Sequence, residues 1–165
     1  MQLFFYKCVN LYNFVLARIG KKFLYCRISS TYISYIQGRN LMIVGIGIDL
    51  VESGRFLDWS AFKKQRIFTK KELEYADADN ANAEKHLANF WAAREACLKA
   101  LGTGFGDEIA FSDISVVHDD NGHPEIMITG GARTALKTLA GQTAAVHLSI
   151  TDQENFSAAI VVIEK

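Results

Sequence analysis

The chain has 165 residues, half of them hydrophobic, with 18 basic and 18 acidic side chains and no formal net charge. That length suits one domain with a real core and hardly two. The composition excludes a disordered chain and a bulk nucleic-acid binder.

The even balance hides a split. Residues 1–48 hold no Asp or Glu and six basic residues, Lys7, Arg18, Lys21, Lys22, Arg27 and Arg39. The other 12 basic residues stand against all 18 acidic ones, so the rest of the chain is acidic. Residues 1–41 are aromatic, basic and Ser-bearing, and three readings of them stay open. Met42 is the true start and the segment is an over-extended reading frame; or it is a targeting peptide, since such peptides are Arg- and Ser-rich and acid-poor; or it is a genuine extension. The first is preferred because a strand begins right after Met42. A retained extension is expected to be poorly ordered or to pack loosely as an isolated helix. A membrane span is not expected, because charges interrupt every apolar run well short of the roughly 20 residues a helix needs to cross.

From Met42 to Leu50 apolar residues alternate with Gly45 and Gly47, which predicts a strand with close backbone neighbours, ending at Asp49. Leu50–Phe56 leads into a helix through Trp59 to Phe68. Thr69 followed by Glu72 has the form of a capping box. Residues 76–83, rich in Ala, Asp and Asn, read as a loop, and a long helix covers about 84–101. Ile114–Val117 and Glu125–Thr129 read as strands joined through the turn Asp119-Asp120-Asn121-Gly122. Ala132–Leu139 reads as a short helix, and Val146–Thr151 and Phe156–Ile163 as a final hairpin around residues 152–155. One long helix among hairpin-linked strands predicts an α+β fold.

The cysteines are Cys8, Cys26 and Cys97. They show no zinc spacing, and Cys97 reads as packed inside the long helix. A single cysteine in the main body rules out a disulfide framework there and fits a reducing compartment. His86, His118, His123 and His147 show no metal-ligand spacing and read as surface or turn residues.

The candidate site lies at the end of the long helix. Glu95 and Lys99 are four apart and share one helix face. The helix runs into Gly102-Thr103-Gly104, a turn whose backbone could approach a phosphate. Glu95 stands among Ala92, Ala93, Ala96 and Leu98, so its carboxylate is expected to be half-buried and to need a partner. That partner is either a metal or simply Lys99 on the same helix. Asp49 either projects into a crevice from a strand end or caps the segment that follows. Arg94 is either functional or an ordinary solvated or salt-bridged side chain. Gly45-x-Gly47 lacks the rest of a dinucleotide or phosphate-loop motif. No G-x-S-x-G nucleophile elbow and no dense basic-aromatic stripe occur in the main body.

Ile46-Gly47-Ile48-Asp49-Leu50-Val51-Glu52, Arg55, Phe68-Thr69, Phe90-Trp91-Ala92-Ala93-Arg94-Glu95-Ala96 and Lys99-Ala100-Leu101-Gly102-Thr103-Gly104 together resemble the holo-acyl-carrier-protein synthase family. These are the short, bacterial-type 4′-phosphopantetheinyl transferases. The resemblance continues through Asn121-Gly122-His123-Pro124 and Leu148-Ser149-Ile150-Thr151-Asp152 and covers about residues 42–165. Residues 1–41 have no counterpart in it and form an extension outside the fold. The family often has Lys where Arg94 stands and Phe where Trp91 stands. A phosphate contact by Arg94 would therefore have a different geometry. Many members have His at Asp152, which gets no catalytic role.

The resemblance implies a 4′-phosphopantetheinyl transferase-like fold, a long central helix packed on antiparallel strands. It implies transfer of the phosphopantetheine arm of coenzyme A to a serine of apo acyl carrier protein, in support of fatty acid biosynthesis in the cytoplasm. Asp49 and Glu95 match the family's Mg²⁺ ligands, and Asp49, Glu95 and Lys99 its catalytic set. Lys99, Gly102, Thr103 and Gly104 would face coenzyme A. Arg55, followed by Lys63, Lys64 and Arg66, would face the carrier. A homotrimer with the site between subunits is implied, with no nucleic-acid or membrane partner. The general base is open between a carboxylate and a metal-bound water. Two other classes compete: a carrier- or coenzyme-A-binding module without activity, and a nucleotide-binding regulatory protein.

Overall fold

The computed structural model describes residues 14–19, 22–27, 42–104, 106 and 108–165, and divides into two compact units, Met1–Leu41 and Met42–Lys165. In the first unit, β1 (Phe14–Ile19) and β2 (Lys22–Arg27) pair antiparallel, with Phe14 opposite Arg27 and Ile19 opposite Lys22. This corrects the expectation of a helix there. The rest of that segment lies outside the described residues.

The second unit is built on one three-stranded antiparallel sheet in the order β3 (Ile43–Glu52), β7 (Phe156–Glu164), β6 (Ala145–Gln153). Its first strand therefore pairs with its last, and Met42 and Lys165 exchange backbone hydrogen bonds at 3.1 and 3.0 Å. β3 does not end at Asp49; it pairs with β7 as far as Glu52 opposite Phe156. A short 3₁₀ turn, Ser53–Phe56, follows.

The expected helix through Trp59–Phe68 is shorter, α1 (Ala61–Ile67), because Ser60 caps it and accepts from the Lys63 N–H. α2 (Lys70–Ala78) starts at the Thr69–Glu72 capping box and runs into the segment read as loop. Ala76 and Ala78 favour helix, and Ala76 is buried in the core. α3 (Ala83–Leu101) is the long helix. It packs along β3 and β7 on one side and against α2 and β4 (Ile114–His118) on the other. β4 and β5 (Pro124–Ile128) form the expected hairpin, and α4 (Gly130–Ala140) follows.

The core lies on both sides of α3. Ala92, Ala93, Ala96 and Cys97 of α3 are fully buried, with Val161 and Ile163 from the sheet and Ile114 from β4. Burial pushes the Cys97 thiol up to about 12, so it is a packing residue. The two strand glycines have a steric reason. A Cβ on Gly47 would lie 1.9 Å from the Ala96 carbonyl oxygen, and one on Gly45 2.1 Å from that of Ala100. The glycine-alanine contact lets the strand lie directly on the helix backbone. Gly45-x-Gly47 is thus a packing device.

Candidate active site

This close approach brings three charged side chains to one spot. Lys99, on the last turn of α3, donates from Nζ to Asp49 Oδ1 at 2.8 Å and to the Ile48 carbonyl at 2.9 Å. Asp49 points from the middle of β3 toward the helix and caps nothing. The Glu95–Lys99 pair on one helix does not form, and Glu95 makes no hydrogen bond or ion pair among the described residues. Burial, then the neighbouring Asp49 charge, raises the Glu95 carboxyl above its ordinary value; Lys99 and Arg55 oppose this. Two carboxylates that repel each other, one of them half-buried and without a hydrogen-bond partner among the described residues, make a place where a cation would be stabilised.

The donor chemistry fits Mg²⁺. No cluster of three or more His, Cys, Asp or Glu side chains able to hold a metal lies among the described residues. Mg²⁺ does not require one, since it is commonly held by one or two carboxylates, with waters and substrate phosphates completing its shell. Asp49 and Glu95 are the residues that would hold it.

Gly102 ends α3 in the left-handed conformation at φ 73°. Its N–H donates to Lys99 O at 3.1 Å, and the Thr103 N–H donates to Leu98 O at 3.0 Å. Together these form a Schellman cap. The N–H groups of Gly102 and Thr103 are therefore already used by the helix end. Thr103 and Gly104 line a groove of about 1080 Å³ between this turn and α4, with Leu101, Gly131, Thr134 and Thr138.

Arg94 takes the salt-bridged reading of the two left open. It is fully buried on the far side of α3 and ion-pairs with Glu72, so it has no exposed face for a phosphate. Arg55 stays exposed, its guanidinium 5.0 Å from the Trp91 ring centre and 5.6 Å from that of Phe56. Lys63 lies 3.7 Å over Trp59, and Arg66 5.8 Å over Phe62. Arg55 and Lys63 rest on an aromatic cluster in which Phe56 and Trp59 touch each other and both touch Phe68 and Trp91. Asp152 pairs with Lys85 at 2.8 Å and accepts from Asn89 at 3.3 Å.

A family model described as the 4'-phosphopantetheinyl transferase superfamily matches residues 45–161, which include Asp49, Arg55, Glu95 and Lys99. The chain belongs to that superfamily. A holo-[acyl-carrier-protein] synthase of Treponema denticola is 44% identical over 125 residues, covering 74% of this chain and 99% of the relative. One of Gluconobacter oxydans is 40% identical over 131 residues, covering 74% and 83%. Among solved structures, the holo-(acyl-carrier-protein) synthase of Bacillus anthracis, in complex with CoA (3',5'-ADP), is 36% identical with a TM-score of 0.62. It covers 74% of this chain and 97% of its own. The Neisseria meningitidis enzyme is 33% identical with a TM-score of 0.65, covering 75% and 100%. The transferase fold expected from the sequence, a long helix on antiparallel strands, is the fold of these structures.

Sequence reasoning missed Glu72 as more than a capping residue. Nothing in its local pattern says that its second carboxylate oxygen reaches Val116 in β4, 44 positions away.

Proposed function

We propose that this transferase moves the 4′-phosphopantetheine arm of coenzyme A to a serine of apo acyl carrier protein. The observation that carries the reading is the convergence of Asp49, Glu95 and Lys99 on one spot, in a chain of the holo-acyl-carrier-protein synthase type. The serine hydroxyl attacks the phosphorus that bears the pantetheine arm. The P–O bond to the second phosphate breaks, and adenosine 3′,5′-bisphosphate leaves. Negative charge gathers on the pyrophosphate in that step.

Lys99 is placed to meet this charge. Two of its three ammonium donors hold Asp49 and Ile48, and the third is free for a phosphate oxygen. Asp49 and Glu95 would hold Mg²⁺, which when bound supplies Lewis-acid neutralisation of the pyrophosphate. The groove beside Thr103 and Gly104 offers a recess for coenzyme A. Arg55, Lys63 and Arg66, with the exposed Phe62, offer a basic and apolar face to an acidic carrier.

The assembly we infer is a homotrimer. Its support is the outer face of the sheet, where Ile46, Ile48 and Leu50 are 60–65% exposed and Ile160 is 40% exposed. Register sets Ile48 opposite Ile160, so the four form one apolar patch. A cytoplasmic role in fatty acid biosynthesis follows from the carrier substrate. Fractionation that finds the protein outside the cytoplasm would remove that location.

The test is the intact mass of an apo carrier after incubation with coenzyme A and Mg²⁺. A gain equal to the phosphopantetheine arm is expected. Tight binding with no mass gain would instead identify an inactive binding module. Asp49→Ala and Glu95→Ala should each lose most of the transfer, about a hundredfold or more, with an unchanged circular dichroism spectrum. Near wild-type activity of either variant at low Mg²⁺ would remove that residue from the site. Arg55→Glu should raise the apparent Michaelis constant for the carrier, more so at low salt. Unchanged carrier kinetics at low ionic strength would relocate the docking face.

A further inference from the structure

Arg94 is the largest fully buried side chain among the described residues, and the Glu72 side chain is buried equally deep. The guanidinium pairs through Nη2 with Glu72 Oε2. It also donates from Nη1 to the Phe90 carbonyl at 3.1 Å and from Nε to the Phe111 carbonyl at 3.3 Å. The Phe68 ring centre lies 5.0 Å from it. Glu72 is held in turn by the Thr69 N–H at 2.9 Å, the Thr69 hydroxyl at 2.8 Å and the Val116 N–H at 2.9 Å. One carboxylate thus ties the start of α2, the middle of α3 and strand β4.

No hydrogen bond or ion pair links Arg94 or Glu72 to Asp49, Glu95 or Lys99 among the described residues. Yet Arg94 precedes Glu95, and consecutive helical residues are set about 100° apart around the axis. Holding Arg94 holds the bearing of Glu95, and of Lys99 one turn on. On the opposite face of α3, Gly45 and Gly47 lie against the backbone of Ala96 and Ala100, so at these two positions of β3 no side chain interlocks with the helix. The buried side chains on that face come from β7, with Val161 opposite Gly47 and Ile163 opposite Gly45. The glycine contact sets the distance from strand to helix. A planar guanidinium with two acceptors outside the helix, the Glu72 carboxylate and the Phe111 carbonyl, fixes the helix's rotation from the other side; the Phe90 carbonyl belongs to α3 itself.

We propose that the buried Arg94–Glu72 pair is a positioning device that sets the rotation of α3 and so aims Glu95 and Lys99 at Asp49. The proposal rests on the roles given above to those three residues. A buried ion pair is a poor means of gaining stability, and geometric specificity is the use that fits this one.

The test compares Arg94→Met, Glu72→Gln and Arg94→Lys, each assayed at a temperature where melting curves show it folded. In crystal structures of the metal-free variants, Lys99 should turn away from Asp49 in Arg94→Met and Glu72→Gln. It should stay hydrogen-bonded to Asp49 in Arg94→Lys. The Mg²⁺ concentration for half-maximal transfer should rise about tenfold or more in the first two, with the carrier Michaelis constant unchanged. Arg94→Lys should restore it. Mn²⁺ binding followed by electron paramagnetic resonance, with coenzyme A present and no carrier, should move in parallel. The proposal is overturned if Arg94→Met or Glu72→Gln melts lower yet keeps the Lys99–Asp49 hydrogen bond and the wild-type Mg²⁺ requirement. If Arg94→Met does not fold, Glu72→Gln, which keeps an acceptor for Val116, decides. If neither folds, the pair is a folding determinant and the positioning role is wrong. An unchanged Mg²⁺ requirement in Glu95→Gln would remove the metal reading alone, and the position of Lys99 in the variant structures would still judge the pair.

Discussion

Glu95 carries a cost that Lys99 and Arg55 offset only in part. It is half-buried, faces Asp49 and has no hydrogen-bonding partner among the described residues, so its carboxyl is raised above the ordinary range by burial first and by Asp49 second. A raised value means that the folded state holds the proton more tightly than the unfolded chain. The stability that this confers is complete below the unfolded value and is lost as pH rises through the folded one. Glu95→Gln should therefore melt higher than the parent at pH 8 in chelator, and no higher at pH 4, while losing transfer. Equal shifts at both pH values would mean that ionisation of Glu95 is not the source of the cost. Lys99 behaves differently. It crosses to the strand because Asp49 Oδ1 and the Ile48 carbonyl lie within reach of a long side chain. An isolated Glu-Lys pair on a helix contributes only about 0.2–0.5 kcal/mol, too little to compete.

The packing of β3 on α3 decides whether these residues meet. Gly47→Ala would place a methyl group 1.9 Å from the Ala96 carbonyl oxygen, where only backbone movement can make room. Overpacking of this kind typically costs about 1–3 kcal/mol. Because β3 also carries Asp49, transfer should fall further than the stability loss explains. Gly54→Ala is the control, with nothing within 4 Å of the added methyl group. Thermal melts and transfer rates of both variants check this, and a Gly47→Ala enzyme of normal rate would show that Asp49 tolerates a shifted strand. At the C-terminal end of α3, the Schellman cap uses the N–H groups of Gly102 and Thr103, and Thr103 and Gly104 line the groove.

For the whole molecule, the second unit pairs its own first strand with its last. Among the described residues, that ladder runs from Met42 and Lys165 to Glu52 and Phe156. The family match, residues 45–161, lies wholly inside it. Deleting residues 1–41 should leave a folded, active enzyme with the mass of a trimer by light scattering. An insoluble or inactive truncation beside a working full chain would show that the extension covers part of the core or of an interface. A monomer of full activity would remove the trimer and leave the apolar face of Ile46, Ile48 and Leu50 without its proposed occupant.

Local pattern alone determined much of this protein. Alternation placed β3 and the final hairpin, the Thr69–Glu72 spacing started α2, and the Ala-rich run with a terminal glycine bounded α3. These signals work because strand pleat, helix period and cap hydrogen bonds involve residues a few positions apart. Motif identity likewise singled out Asp49, Arg55, Glu95 and Lys99. Which of them touch was decided only by the tertiary structure. Asp49 could have capped a helix and Glu95 could have paired with Lys99, since both choices satisfy local chemistry. The Gly–Ala approach of β3 to α3 removed those options by placing Asp49 beside Lys99 across 50 positions. Arg94 shows the same limit. Its sequence context fits a phosphate ligand as well as a structural cation. Only the burial of Glu72 and the arrival of β4 turned it inward, because a desolvated guanidinium must lie where its acceptors are.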